Sequence, residues 1–302
     1  MPYEHDLKGY APMERDALKA KIYARIDELP TLPAVIPRLL ALMDDPKCTV
    51  GDLTDGISHD AALTAKILKV ANSAYYGFPQ EISTLERAVA LLGFNMVKSL
   101  AISVGVMRNM ANGKRDSTGF SWEGLWVHSL AVGTGMKMLA ERAGNRGDAE
   151  YLFIVGLLHD IGKVVLDQFF QRDFARTLEK ARNTENGLLY RHEREIIGLD
   201  HGEVGGILLE RWKFPERIQR PVTLHHQDNL SDNANALDIS MLRISDAITQ
   251  DLALGDSGNR CPPPVDEVDL DVLAMDAVAL DGLRKQLEEA REGIVAFLRA
   301  II

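Results

Sequence analysis

The sequence predicts an all-α fold on three observations. Apolar residues return every three or four positions along almost the whole length. Capping residues, Gly and Pro punctuate that pattern at short intervals. No segment shows the strict apolar–polar alternation of a half-buried strand, and no internal repeat is present. The first helix runs from Arg15 to Leu29 and stops at Pro30. Pro33 and Pro37 frame a short second helix, with Pro37 tolerated in its first turn. Thr49 with Asp52 is a weaker form of the capping box before Leu53 and Ile57, and Asp60 reads as the N-cap of a helix over Ala61–Ala71. Ser83 with Glu86 predicts a capping box on a helix that stops at Gly93, followed by a long apolar helix over Phe94–Met110. Beyond a polar, turn-rich stretch (111–119), further helices are expected at 121–143, 149–170, 172–184, 188–197, 200–212, 215–227 and 235–253. The Gly- and Pro-rich stretch from Gly255 to Pro264 then sets off one long helix near 279–301. The expected organisation is a helical bundle over 14–112, a second helical unit over 120–254 and a C-terminal helical extension over 265–302.

Composition narrows the function classes. With 302 residues, 46% hydrophobic and 26% charged, the chain reads as an ordinary globular protein. A formal net charge of −10 argues against broad nucleic-acid binding, which needs a basic face. It leaves room for an anionic ligand, because bound cations reverse the field locally. The N-terminus is too polar for a signal peptide, and the apolar run from Tyr151 to Leu158 is too short to cross a bilayer. Only Cys48 and Cys261 are present, which fits free thiols in a reducing cytoplasm. A cytoplasmic protein with no membrane segment is the expectation.

The chemistry concentrates between residues 128 and 246. His128, the pair His159-Asp160, His201, the pair His225-His226 and Asp246 each fall in or beside a predicted helix, and five of the eight histidines are in this set. Imidazoles and carboxylates suit first-row divalent metals, and an Asp adjacent to a His can bridge two ions while its neighbour binds one. Neither cysteine lies near, which excludes a thiolate zinc site. A single such histidine is more often a surface or core residue; seven residues of this type in one window predict a metal site. Two divalent ions would bring +4 against −2 from Asp160 and Asp246, a surplus that favours a bridging hydroxide and an anionic ligand. Lys163, three residues after Asp160, projects from the same helical face and is a candidate to hold a phosphate oxygen, the alternative being a solvent-facing lysine.

Two other features carry blander readings. The turn at Gly93 between two helices could be a helix-turn-helix, but its second helix offers only Asn95, Lys98 and Ser99 as early polar groups; an αα-corner is the simpler account. Tyr75-Tyr76 could be a stacking platform and is more simply the end of a helix closed against the bundle.

L-P-x-L-P at Leu29–Pro33, I-S-H-D-A-A-L-T-A-K-I-L-K-V-A-N-S-A-Y-Y-G at Ile57–Gly77 and I-S-T-L-E-R-A-V-A-L-L-G at Ile82–Gly93 closely resemble the HDOD family, the HD-related output domains of bacterial signalling proteins. The resemblance runs from about residue 20 to about 226. It implies an N-terminal helical bundle joined to HD-domain helices, and a regulatory or output role. HDOD proteins commonly lack much of the HD metal constellation, and this chain departs from them by having it. G-L-L-H-D-I-G-K at Gly156–Lys163 looks like the core motif of the HD-GYP cyclic dinucleotide phosphodiesterases, and the remaining ligands follow the HD order. That resemblance implies one metal held by His128, His159, Asp160 and Asp246, and a second by Asp160, His201 and His225; His226 is a ligand or faces substrate. The chain departs from HD-GYP enzymes after His226, where Q-D-N-L-S-D-N-A-N-A replaces the Gly-Tyr-Pro loop, and at position 124, where glycine replaces a glutamate one turn before His128. These departures put a third metal and a cyclic dinucleotide substrate in doubt.

Three readings follow: a signalling output module that binds iron, manganese or zinc, a metal-dependent phosphohydrolase or phosphodiesterase, and a di-iron oxygenase of the HD type. The expected partner is a signalling protein or a small anionic ligand such as phosphate or nucleotide. The part from 14 to 112 holds no ligand of the set and reads as regulatory or docking.

Overall fold

Among the residues that the computed structural model describes (12–26, 28, 32–41, 47–110, 118–145, 147–227 and 235–302, with side chains from 17 onward), every regular element is a helix. The N-terminal half contains α1 (Pro12–Ile26), α2 (Val35–Ala41), α3 (Val50–Ser58), α4 (Ala61–Ala71), α5 (Leu85–Leu92) and α6 (Phe94–Met110). The middle contains α7 (Trp122–Arg142), α8 (Ala149–Leu158), α9 (Ile161–Phe169), α10 (Gln171–Asn183), α11 (Leu189–Ile196), α12 (His201–Arg211), α13 (Glu216–Leu224) and α14 (Ala236–Asp251). The short α15 (Glu267–Val272) and long α16 (Ala277–Ile301) close the chain. No single described helix is long and apolar enough to cross a membrane, and both cysteines are free thiols.

Local chemistry explains most boundaries. Thr49 and Asp52 make a full capping box, with Asp52 N donating to Thr49 Oγ1 and Thr49 N donating to Asp52 Oδ2 at 2.9 Å. Asp60 caps α4 by accepting from Leu63 N at 2.9 Å, and Arg108 of α6 donates to both of its oxygens at 3.1 Å. Gly93 sits at φ +92°, a conformation that disfavours a Cβ, where α5 turns into α6 at a 120° bend. The N-cap of α5 is Thr84, not the expected Ser83: Thr84 accepts from Arg87 N at 3.1 Å, and the helix opens with the buried Leu85. The first helix ends at Ile26, three residues short of the expected Leu29. The motif residues 29–31, most of the expected boundary segment (111–117) and the loop after Gln227 (228–234) lie outside the described residues.

The main departure from the expected helices is functional. The apolar run over 149–170 reads as one helix, but the chain breaks at His159-Asp160 into α8 and α9. Asp160 adopts φ −97°, ψ 7°, off the helical line, and its carbonyl accepts from Lys163 N. Helices α7 and α8 cross at two glycines. A Cβ on Gly156 would lie 2.6 Å from Gly133 N and Cα, so these backbones meet closer than any side chain allows. A Cβ on Gly162 of α9 would fall on the carbonyl oxygen of His201 in α12. On α9, buried Asp167 accepts from Trp122 Nε1 at 2.6 Å and from the Thr118 hydroxyl, which pins the start of α7.

The C-terminal helix is no loose appendage. It packs on α7, α4, α6 and α14. Phe297 meets the Tyr75 ring edge-on at 5.2 Å, and Lys66 and Lys69 of α4 donate to the last carbonyls of α16, Ile301 O and Arg299 O. Tyr75 thus closes the end of α4 against the bundle, with its hydroxyl 3.1 Å from Thr134 Oγ1.

Candidate metal centre

The set is delivered by six helices or helix ends, one of which supplies two histidines. His128 lies inside α7, His159 ends α8, Asp160 precedes α9, His201 opens α12, His225 and His226 follow α13, and Asp246 lies in α14. All seven converge, and all but the half-buried His226 are buried. Two groups form, with ligand atoms within 4.8 Å of one another: His128, His159 and Asp246 in one, His201, His225 and His226 in the other.

Asp160 lies between the groups. Its Oδ2 is 3.3 Å from His159 Nε2 and 3.6 Å from His128 Nε2, while its Oδ1 is 3.0 Å from His201 Nε2. The two oxygens of one carboxylate therefore face different groups. Lys163 sits inside this arrangement rather than at solvent: its Nζ donates to Asp160 Oδ2 at 2.6 Å and to Ser257 O at 2.8 Å.

Ring orientation follows from the backbone. His159 Nδ1 lies 2.7 Å from Gly156 O and His225 Nδ1 2.6 Å from Val222 O, each three residues back. Two acceptors cannot bond, so Nδ1 carries the proton in both rings and a bare Nε2 points inward. The Nε2 atoms of His128, His159 and His225 are buried with no hydrogen-bond partner. His128 Nε2 is 3.0 Å from Asp246 Oδ1, but out of line for a hydrogen bond. Buried ring nitrogens without a partner are costly. Three of them beside two carboxylates are a donor set that fits a divalent transition metal.

The electrostatics differ from group to group. Burial pushes Asp160 up, yet His159, Lys163 and His201 outweigh it and hold the carboxyl well below the usual range. Asp246 is raised by burial and lowered more by His128 and His159, to about 2. Burial, reinforced by neighbouring imidazoles, pushes His225 and His226 well below the ordinary histidine value, so both are neutral. His201 differs: burial lowers it, but Glu193 and Asp160 on either side raise it to about 9.

Four supporting residues escape a search for ligand types. Glu193 of α11 accepts from His201 Nδ1 at 2.6 Å. Gln250 donates to Asp246 Oδ1 at 2.7 Å and accepts from Asn259 Nδ2 at 3.0 Å. Asn259 and Ser257 belong to the Gly-rich stretch after α14, which lies across the centre instead of leading away from it. A Cβ on Gly124 would lie 2.7 Å from Asp256 Cβ, and Asp256 N donates to Gly124 O at 2.9 Å. This strap takes the space of any side chain at position 124, a physical reason for the missing glutamate. Only Glu193 leaves a trace in sequence: it interrupts the apolar stripe Leu189–Glu193–Ile197 along α11 and its C-cap.

At the edge of the centre, His226 stacks on Tyr190 (centroids 4.1 Å apart, planes 9° apart), with its Nε2 2.8 Å from His201 Nε2. Its carbonyl accepts from Arg194 and that of His225 accepts from Arg243, which clasps the end of α13 from two sides.

The fold has known counterparts. An HDOD domain protein of unknown function from Geobacter sulfurreducens is similar over 97% of this chain and 99% of its own, with a TM-score of 0.79 and 25% identity. A Shewanella amazonensis SB2B protein named as a candidate phosphohydrolase matches over 94% of this chain and 98% of its own (TM-score 0.73, 24% identity). A Marinobacter aquaeolei VT8 protein named as a candidate signal transduction protein matches over 95% of this chain and 66% of its own (TM-score 0.75, 21% identity). An uncharacterized Treponema pallidum protein is 28% identical over 211 residues, 69% of this chain and 40% of that protein's length. Residues 29–228 match the HDOD domain family, from the second helix through the histidine pair, and the chain belongs to that family.

Proposed function

We propose that the chain is a cytoplasmic signalling output module whose HD-like helices hold two divalent transition metal ions, iron, manganese or zinc. One ion falls to His128, His159, Asp246 and Asp160, the other to Asp160, His201 and His225, with His226 beside the second. The observation that carries this reading is the trio of partnerless Nε2 atoms buried against Asp160 and Asp246. Such ions supply Lewis acidity and a water of lowered pKa. The chain's own groups do the rest: backbone carbonyls fix the rings, Asp160 faces both groups, and Lys163 neutralises Asp160. A signalling protein or a small anion is the partner we infer, because surplus cationic charge at the centre favours anions.

A second reading, metal-dependent phosphoester hydrolysis, is favoured by His226, the member of the cluster that keeps partial solvent exposure. Two Shewanella amazonensis neighbours carry phosphohydrolase names, one of them metal-dependent, at identities that speak for fold. Elemental analysis of protein prepared without chelators or an affinity-metal step tests the first reading. About two equivalents are expected, and less than about a tenth of an equivalent after reconstitution would overturn it. Phosphoester turnover by the metal-loaded protein, abolished with the metal, would select the second.

A further inference from the structure

Glu193 is fully buried on the apolar face of α11, where a carboxylate is costly unless something engages it. One residue engages it twice. His201 donates to Glu193 Oε2 from its backbone N at 2.8 Å and from Nδ1 at 2.6 Å, while Oε1 has no hydrogen-bond partner. A carboxylate only accepts, so His201 Nδ1 carries a proton. The opposite nitrogen, Nε2, is thereby turned to the centre, 3.0 Å from Asp160 Oδ1 and 2.8 Å from His226 Nε2. Two other inward-facing rings, His159 and His225, obtain the same orientation from uncharged backbone carbonyls. His201 opens its helix at N1, so no carbonyl of α12 precedes it to take its Nδ1 proton. A side chain from another helix supplies the acceptor, and supplies it with a negative charge.

We propose that Glu193 is a positioning residue of the metal centre: through Nδ1 it sets the tautomer, orientation and basicity of His201, and so the affinity of the group His201–His225–His226. This rests on the metal reading above. A carboxylate behind a ligating imidazole makes the ring a stronger donor, and loss of such partners typically weakens metal binding 10- to 100-fold. The alternative is a buried ion pair that only holds α11 to α12.

Zinc titration of Glu193→Gln separates the two. Glutamine keeps the shape and an acceptor oxygen and removes the charge. The expected result is one zinc equivalent weakened by roughly 10- to 100-fold and the other within about threefold of the parent. In the zinc-loaded parent, the side-chain ¹⁵N spectrum should show His201 protonated at Nδ1 and metal-bound at Nε2. Unchanged affinity for both equivalents, or a His201 protonated at Nε2, overturns the proposal while leaving the metal reading intact. A parent protein that takes up no zinc, iron or manganese overturns both. Glu193→Ala is a harsher companion, and its failure to fold would leave the glutamine result decisive.

Discussion

Lys163 Nζ and Asp160 Oδ2 lie 2.6 Å apart, each side chain only 2% exposed. The lysine that the sequence offers as a phosphate clamp is thus the internal counter-charge of the carboxylate that faces both metal groups. Lys163→Met removes the lysine counter-charge from buried Asp160 and should cost the metal-free protein roughly 3–5 kcal/mol. Saturating zinc should recover much of that loss, because the ions take over the neutralising role. Thermal melts with and without zinc check this, and an equal loss in both would mean that the ions do not meet Asp160.

Asp160→Ala removes the oxygens that face His128 and His159 on one side and His201 on the other. Metal content should fall by half or more, and the zinc-dependent rise in melting temperature should shrink with it. Full occupancy in this variant, read by elemental analysis, would refute a shared carboxylate.

The metal-free protein should be most stable near pH 6.5–7. His201, raised to about 9, contributes stability that is complete below its unfolded value near 6.5 and lost as pH rises through about 9. His225 and His226 are depressed, so below about 6.5 the unfolded chain binds protons that the folded one refuses, and stability falls. Asp246, lowered to about 2, adds a further loss as pH falls from about 4 through 2. Urea midpoints across pH 5–10 after chelation test the alkaline limb, which His201→Gln should flatten. A flat parent profile between about 6.5 and 9 would contradict the flanking carboxylates' hold on His201.

In the N-terminal half, His59-Asp60 imitates a metal motif and does structural work. Asp60 caps α4 and receives Arg108, while His59 is exposed. Asp60→Ala should cost about 1 kcal/mol for the cap, with a smaller addition for the partly exposed ion pair. His59→Ala should change neither stability nor metal content by a measurable amount. Metal loss in the His59 variant, measured by elemental analysis, would contradict the assignment.

Gly162→Ala would set a methyl group on the His201 carbonyl oxygen and within 2.7 Å of Gly205 N, both backbone atoms that cannot swing aside. A loss of about 3 kcal/mol or more is expected, together with weakened metal binding by the His201 group. A melting temperature within a degree or two of the parent would show that α9 and α12 separate easily.

What the sequence made legible depended on how local the cause was. Helices α4 and α6 match their expected limits because Asp60, Gly93 and the apolar period act within a few residues. The break at His159-Asp160 was invisible, since Tyr151–Leu158 and Ile161–Leu166 form nearly continuous apolar runs with no Pro between them. The six-residue α15 was too short to show a period. Ser83 and Thr84 are adjacent hydroxyls; the spacing to Glu86 favours Ser83 as the cap, whereas burial of Leu85 places the helix start one residue later. The ligand types stood out by chemistry alone. Ser257, Asn259 and Gln250 did not, because their roles come from contacts across the fold: Ser257 meets Lys163 across 94 positions.

The glycine crossings have a consequence for how such a centre can change over time. Gly133, Gly156 and Gly162 set the spacing of α7, α8, α9 and α12 through backbone contact, without help from any imidazole. A descendant that exchanged each histidine together with the buried carboxylate it faces could therefore inherit the same scaffold without the metal ligands. A single methyl at Gly156, by contrast, would push apart the helices that carry His128 and His159 before any ligand was altered.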